Sequence, residues 1–488
     1  MKFLPKLLIA SVFASSLMAL SCSKDDNITQ DQTQSKEDAK QAERDKIIAA
    51  NRYYMSRYYE DYFPYYFWYD DMEKKVKSLS YTSFATIQEY FRATLFKEDR
   101  WSWMMTAKEF LESESGEQTG TYGVSLGQAI EYYNDYNIRV RYIWPGSPFE
   151  EHGVKRGWAL THMDSIPVMN FVREGTFEYE FSKANQRFTF KDLEGNSHTF
   201  VSSPAKTLST RSSLKCEVIQ PGDYPGLTEP VGYFLYMSFK AGFLADIDSA
   251  FAMFKDAGVK KVILDLRYNG GGDGRASDLL VSYLAPDSAD RKVYRKTIHN
   301  RLLTQFNSAD TIHRQPNSLN LDDLYVICGE GSASASEVTV NGLSPYLNVH
   351  LVGDTTYGKP NGMYVLMYPG EDADYERYEA GDFSKLKLVY LPIAFFSKNS
   401  EDESIPYNGF IPDNYRPDDL RHDFGVTEDN IRACLEHIVS GSYPEIPRLY
   451  GAQRRTAISD KGLRIPDDLR TSPLYGRTLL PAPKELRK

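Results

Sequence analysis

The feature that most narrows the fold is an apolar run that ends in glycines: Lys260 to Leu266, then Arg267-Tyr268-Asn269, then Gly270-Gly271-Gly272-Asp273. A stretch of this length with an apolar centre at Val262-Ile-Leu264, bounded by a glycine-rich turn, reads as a buried strand. Its neighbours fit the same scheme. Val231 to Phe239 reads as a strand, Asp246 to Ala257 has helical spacing, and Leu324 to Cys328 is a second buried strand with a helix from about Ala333. Strands alternating with helices predict an α/β layer structure over residues 206–440.

Sites in such sheets gather beyond the C-terminal ends of the strands, and three segments there carry chemistry. The glycine run offers free backbone N–H groups. It is not a phosphate loop, since no Lys-Ser/Thr follows and the GxGxxG spacing is absent. Gly331-Ser332-Ala333-Ser334-Ala335-Ser336-Glu337 opens a helix directly after a buried strand. Small residues permit a tight turn, and helix N-terminal N–H groups favour developing negative charge. On chemistry alone Ser332, Ser334 or Ser336 could be a nucleophile, or the run could be only a helix cap. Glu337 reads as structural, an acid fixing the helix start. The third segment, Asp354-Thr-Thr-Tyr-Gly-Lys359-Pro360, follows the apolar strand Val349 to Val352. Lys359 could act as a base only if desolvated enough to be neutral, and a loop lysine is ordinarily solvated.

The rest of the chain divides by composition. Residues 45–116 are helical in spacing and strongly aromatic, as in Tyr62-Phe-Pro-Tyr-Tyr-Phe-Trp-Tyr69, where Pro64 ends or kinks a helix. We expect a small helical N-terminal domain with an aromatic core. Residues 117–205 carry short β runs such as Ile138 to Ile143 and read as a β-rich domain. Residues 441–488 are rich in Arg and Pro, and we expect an irregular appendage. Residues 23–44 are polar without an apolar period and read as a flexible tether.

The formal net charge of −10 argues against a nucleic-acid partner. Cys216, Cys328 and Cys434 form no CxxC pair, so neither a disulfide framework nor a zinc site is indicated. There is no HExxH and no GxSxG elbow. No metal or organic cofactor is expected. At the N-terminus, Lys2 and Lys6 precede an apolar stretch from Leu7 to Leu20 and then Ser21-Cys22. This resembles a bacterial lipoprotein signal over residues 1–22, which would place a lipid anchor on Cys22. Ala19 stands where such signals usually carry Leu, and Leu20 comes one place late. Ser23-Lys24-Asp25-Asp26 resembles the Lys-plus-acidic signal that sends lipoproteins of the Bacteroidota to the outer face of the outer membrane. The expectation is an exported outer-membrane lipoprotein, on the periplasmic or the cell-surface side.

Taken in order, Asp265 to Gly272, Ser332 to Glu337 and Thr356 to Lys359 resemble the motifs of the C-terminal processing (tail-specific) serine protease family. Residues 117–205 resemble its PDZ domain, keeping Gly146-Ser147-Pro148 and Arg156-Gly157 but with Trp158 in the usual acidic place. Asp99-Arg-Trp-Ser-Trp103 also fits the family's domain order. The resemblance covers roughly residues 45–440 and implies a multidomain α/β and α+β protein with a crotonase-like catalytic domain. It implies Ser334 as nucleophile and Lys359, 359 − 334 = 25 positions on, as base. Backbone N–H groups of Ala335 and Gly271 would form the oxyanion hole, and Thr356 would orient the lysine. Tyr122, Gly123 and Val124 would form the loop that holds a peptide's terminal carboxylate. Protein or peptide substrates are implied. Met363 stands where the family often has a lysine-placing Gln. The competing reading is a weak or inactive PDZ-bearing lipoprotein that binds peptides.

Overall fold

The computed structural model describes residues 30–129, 133, 135–368, 388–446 and 477–481. The signal segment 1–22 with Cys22, the start of the tether and most of 441–488 lie outside the described residues.

The buried apolar runs form the centre of a six-stranded sheet in the order Ser213–Ile219, Val231–Tyr236, Lys261–Asp265, Asp323–Cys328, Asn348–Gly353, Asn414–Tyr415. Only the first pair is antiparallel. Alternate residues of these strands point to opposite faces, and each face needs a cover. Val262, Leu264, Leu324 and Val326 meet the helices Leu244–Asp256, Gly274–Leu284 and Ala335–Leu343. Ile263, Tyr325, Ile327 and Val352 meet the helix Asp429–Ser440. The serine segment and the glycine run therefore both leave the sheet at the C-terminal ends of adjacent parallel strands, Asp323–Cys328 and Lys261–Asp265.

A second, eight-stranded sheet runs Trp103–Thr106, Leu388–Leu391, Asn361–Tyr368, Ile393–Lys398, Val293–His299, Ser308–Thr311, with Gly271–Asp273 and Arg477–Pro481 joined to it. Residues 45–116 do not form an independent helical domain. The helices Gln30–Tyr62, Tyr69–Ser78 and Ile87–Thr94 share one core with this sheet, in which Tyr54, Phe91 and Tyr390 lie together with Met363 and Phe395. Trp103–Thr106 is a strand of that sheet, paired with Leu388–Leu391. An aromatic helical layer this small buries its rings more completely against a sheet than against itself.

The helix Gln30–Tyr62 also reaches back into the stretch expected as a tether. Its residues 36–46 are exposed, and Glu, Lys, Gln and Ala favour helix without any core. The chain turns at Phe63–Tyr65 around Pro64. The expected irregular appendage contains the regular strand Arg477–Pro481, which pairs in parallel with both Gly271–Asp273 and Asn361–Tyr368.

The strands Glu117–Thr121 and Lys206–Ser209 pair where the chain enters and leaves residues 122–205. Between them lies a sheet ordered Val124–Gly127, Ile138–Ile143, Ala159–Met163, Arg187–Lys191, Ser197–Val201, with the helix Val168–Glu174 packed on it. Val124–Gly127 is its edge strand.

Because the aromatic layer and the second sheet share a core, Phe91→Ala should cost about 3–5 kcal/mol. Urea denaturation should show both parts unfolding in one transition. A separate early transition for the helical layer would restore the independent domain.

Candidate active site

Ser334 is fully buried and holds φ +59° and ψ −110°, a conformation that costs a non-glycine residue energy and persists only when its surroundings impose it. Those surroundings can be named. The Ala333 N–H donates to the Asn269 carbonyl at 3.1 Å, and Ser336 Oγ donates to the same oxygen at 2.8 Å. Ser332 Oγ donates to the Leu266 carbonyl at 2.8 Å and accepts from Gly329 N–H at 3.1 Å. The two flanking hydroxyls thus fasten the serine turn to the glycine loop. Gly271 is the closest part of that loop. A Cβ there would lie 2.9 Å from Ala333 O, 3.0 Å from Ala335 N and 3.0 Å from Ser334 Cβ, and its φ is +100°. Only glycine fits.

Lys359 is fully buried, with Nζ 3.5 Å from Ser334 Oγ and donating to the Asn361 carbonyl at 3.0 Å. What holds the lysine there is Glu337, three residues into the serine helix. Its buried carboxylate accepts from Ser334 N–H (2.9 Å), Thr356 Oγ (2.6 Å), Gly358 N–H (2.7 Å) and Lys359 N–H (2.9 Å). Burial pushes the Glu337 carboxyl up, and the hydrogen bonds from Thr356, Lys359, Gly358 and Ser334 oppose that shift. Glu337 is therefore the clamp between serine and lysine, well beyond the helix-start role expected of it. Thr356 acts through that clamp: its hydroxyl donates to Glu337 and accepts from Phe410 N–H at 2.8 Å.

Two further expectations are modified. The Gly271 N–H donates to Asn269 Oδ1 at 3.0 Å, because Asn269 closes an Asx turn over the glycines. The Ala335 N–H begins the serine helix, where a helix has no acceptor of its own. In the expected carboxylate loop, the Tyr122 side chain turns inward. Its ring is buried, stacked on Phe149 at 5.2 Å, and its hydroxyl donates to Lys183 O. The Gly123 N–H is capped by Thr121 Oγ at 2.9 Å. Val124 opens the edge strand.

Residues outside the expected set also serve the site. Arg100, in the Asp99 to Trp103 stretch, donates to Gly358 O (3.2 Å) and Tyr407 O (3.1 Å), which ties the aromatic layer to the lysine loop. Met363 is fully buried in the shared core. Two residues before it, the Asn361 side chain is buried, and among the described residues neither of its polar atoms has a hydrogen-bond partner, an arrangement that native proteins rarely leave unexplained.

The Asp-Leu-Arg motif builds a buried charge network behind the glycines. Arg267 donates to Asp265 Oδ1 (3.0 Å) and Glu428 Oε1 (2.6 Å). Arg156, from the 122–205 module, donates to Tyr268 Oη (2.6 Å) and Asp418 Oδ1 (2.6 Å), and Tyr268 donates to Asp418 Oδ2 (2.6 Å). Burial alone would raise the Asp418 carboxyl, but Arg156 and Arg267 outweigh it and hold it well below the usual carboxylate range. Trp158, in the place of the expected acid, stacks on His198 at 4.3 Å.

Residues 230–413 match the model of peptidase family S41. That segment holds the glycine run, Ser334, Glu337 and Lys359. Carboxyl-terminal-processing peptidase 3 of Arabidopsis thaliana chloroplasts is 27% identical over 266 residues, 54% of this chain and 50% of that protein. A carboxyl-terminal-processing protease of Synechocystis sp. is 25% identical over 54% of this chain and 62% of its own length. The chain thus spans half to about three fifths of these relatives. The crystal structure of an S41 protein from Bacteroides fragilis NCTC 9343 superposes with a TM-score of 0.60 at 22% identity, covering 77% of this chain and 95% of that one. At that identity the likeness is one of fold.

Removing Arg267 would strip the cation from fully buried Asp265 and leave fully buried Glu428 to Arg156 at 3.9 Å. Arg267→Met should therefore cost about 3–5 kcal/mol. Tyr268→Phe, which deletes one bridging hydroxyl, should cost about 1–2 kcal/mol. Urea titration of both variants checks the order. A milder Arg267→Met would show that the network contributes little to the fold.

Proposed function

We propose that the chain is a serine endopeptidase with Ser334 as nucleophile and Lys359 as general base. The observation that carries this reading is the approach of a buried amine to within 3.5 Å of a hydroxyl held in strained backbone at a helix start. A lysine can take a proton only as the neutral amine, and burial withholds the hydration that an ammonium needs. A separation at the long end of a hydrogen bond is usual before substrate binds.

In this reading Lys359 Nζ takes the Ser334 hydroxyl proton as the oxygen attacks the peptide carbonyl carbon. The tetrahedral oxyanion is met by the Ala335 N–H, and by the Gly271 N–H once Asn269 Oδ1 yields it. The C–N bond breaks as the Lys359 ammonium returns its proton to the leaving amine. Water, activated by the same amine, then releases the acyl group from Ser334. Every step uses side chains and backbone groups of this chain.

The names of the relatives support C-terminal tails as substrates, and unfolded tails are the wider class we include. The module over 117–205 is read as PDZ-like, with the edge strand Val124–Gly127 offering main-chain groups to an added peptide strand. The lipoprotein reading of Ser21-Cys22 supports a lipid-anchored enzyme at the outer membrane.

The test is cleavage of an unfolded reporter with a C-terminal tag by the chain lacking residues 1–22. Ser334→Ala and Lys359→Ala should each lose roughly a thousandfold or more in kcat/KM. Glu337→Gln puts an amide donor where four donors converge, and should lower kcat roughly 10- to 100-fold with KM little changed. Dyad variants that cleave like the wild type would overturn the site. A wild type that binds the reporter but never cleaves it would favour the peptide-binding lipoprotein.

A further inference from the structure

The strand Arg477–Pro481 occupies an unusual place. In register it sets Gly271 against Arg477, Gly272 against Thr478 and Asp273 against Leu479 on one side. On the other side it sets Met363 against Leu479, Tyr364 against Leu480 and Val365 against Pro481. It is parallel to both neighbours. One of them contains Gly271, whose Cα lies against Ser334 and Ala335. The other begins at Asn361, two residues after Lys359.

Asn361–Tyr368 is already paired along its opposite edge by Ile393–Lys398 and Leu388–Leu391. The far side of Gly271–Asp273 is bridged to Phe239, whose N–H donates to Gly271 O (3.0 Å) and whose carbonyl accepts from Asp273 N–H (2.7 Å). The two free edges therefore face each other across a slot one strand wide, with the serine and the lysine at its end. The chain's own C-terminal strand fills that slot.

We propose that this slot is the substrate track of the active site, and that residues 477–481 are a tethered occupant that an extended peptide displaces. The proposal rests on the protease reading for its consequence, but not for its binding test. It names the ligand class as an unmodified extended polypeptide read mainly through its backbone. Side-chain recognition is secondary, because both walls offer main-chain N–H and C=O groups. It also names a regulation. A tethered segment competes at an effective concentration set by the chain that joins it to the body, so a substrate's affinity is multiplied by the fraction of time the slot is open.

The experiment uses a fluorescein-labelled peptide of residues 473–488 as its probe. It is titrated by anisotropy onto two Ser334→Ala proteins, the full chain and one ending at Ser472. The shortened protein should bind the peptide roughly tenfold or more tightly than the full chain, and unlabelled β-casein should displace it. In the Ser334 background the shortened protein should cleave β-casein several-fold faster, and the free peptide should inhibit it competitively. Equal affinity of both proteins for the peptide, or a bound peptide that β-casein does not displace, overturns the proposal.

Where the shortened protein fails to fold, Thr478→Pro in the full chain removes a backbone donor from the strand. It should raise peptide affinity and cleavage in the same direction. Unchanged values overturn the proposal. If no form cleaves β-casein while the binding contrast holds, the protease reading fails and the track stands.

Discussion

A buried carboxylate is expensive, and Glu337 meets that cost with four hydrogen bonds that converge from two separate segments. One comes from the start of the serine helix and three come from the lysine loop. Each donor lost would leave the charge less compensated, so helix and loop are locked to each other at the carboxylate. The position of Lys359 Nζ beside Ser334 Oγ follows from that lock, because the lysine side chain leaves the loop at the residue whose N–H is bound. The desolvation that raises the Glu337 carboxyl also makes its partners hard to exchange.

Around this clamp three parts of the chain meet, and an arginine fastens two of them. Arg100 brings the aromatic layer onto the carbonyl of Gly358, next to the lysine. Arg156 brings the 122–205 module onto Tyr268, which directly precedes Asn269 and the glycines. Arginine suits both positions, since its planar fork can satisfy several acceptors at once while remaining charged in a buried site. Arg156 also donates to the carbonyls of Asp419 and His422, both outside the module. A rotation of the module would have to break these bonds together, which makes the glycine loop the part of the site most exposed to the module's orientation.

The α/β core was legible because strands covered on both faces must be apolar at their centres, and Val262 to Leu264 and Leu324 to Cys328 are. The serine, lysine and glycine segments were legible because small residues after such strands leave few other uses. The choice among three serines was not, since all three hydroxyls are chemically alike. Only the three-dimensional partners separate Ser332 and Ser336, which bond to main-chain carbonyls, from Ser334. Glu337 was visible as a helix-start acid, but its reach to Thr356 and Gly358 is a long-range contact that spacing does not encode. The fused aromatic layer was missed for a related reason. Aromatic residues at helical spacing announce that a core exists, not whose core it is, and here Tyr390 and Phe395 supply the other half. In the 121–124 loop the sequence showed neither that the Tyr122 side chain turns inward nor that Thr121 Oγ caps the Gly123 N–H.

The C-terminal strand connects the clamp to a general liability of sheets. Two free parallel edges one strand apart are a template for any extended chain. On the protease reading such a template beside Ser334 and Lys359 serves the reaction, yet a permanently open one would also gather chains that are not cut. Filling the slot with a segment of the same molecule satisfies the edge groups without sealing them, because an intramolecular strand can be exchanged for an incoming one with nearly the same main-chain hydrogen bonds. The difference in free energy then lies in side chains and in the tether, both of which are small compared with the cost of leaving the edges bare. Near-balance of this kind lets a modest sequence preference decide which chains enter. It places selectivity in the competition with residues 477–481 as much as in the walls of the site.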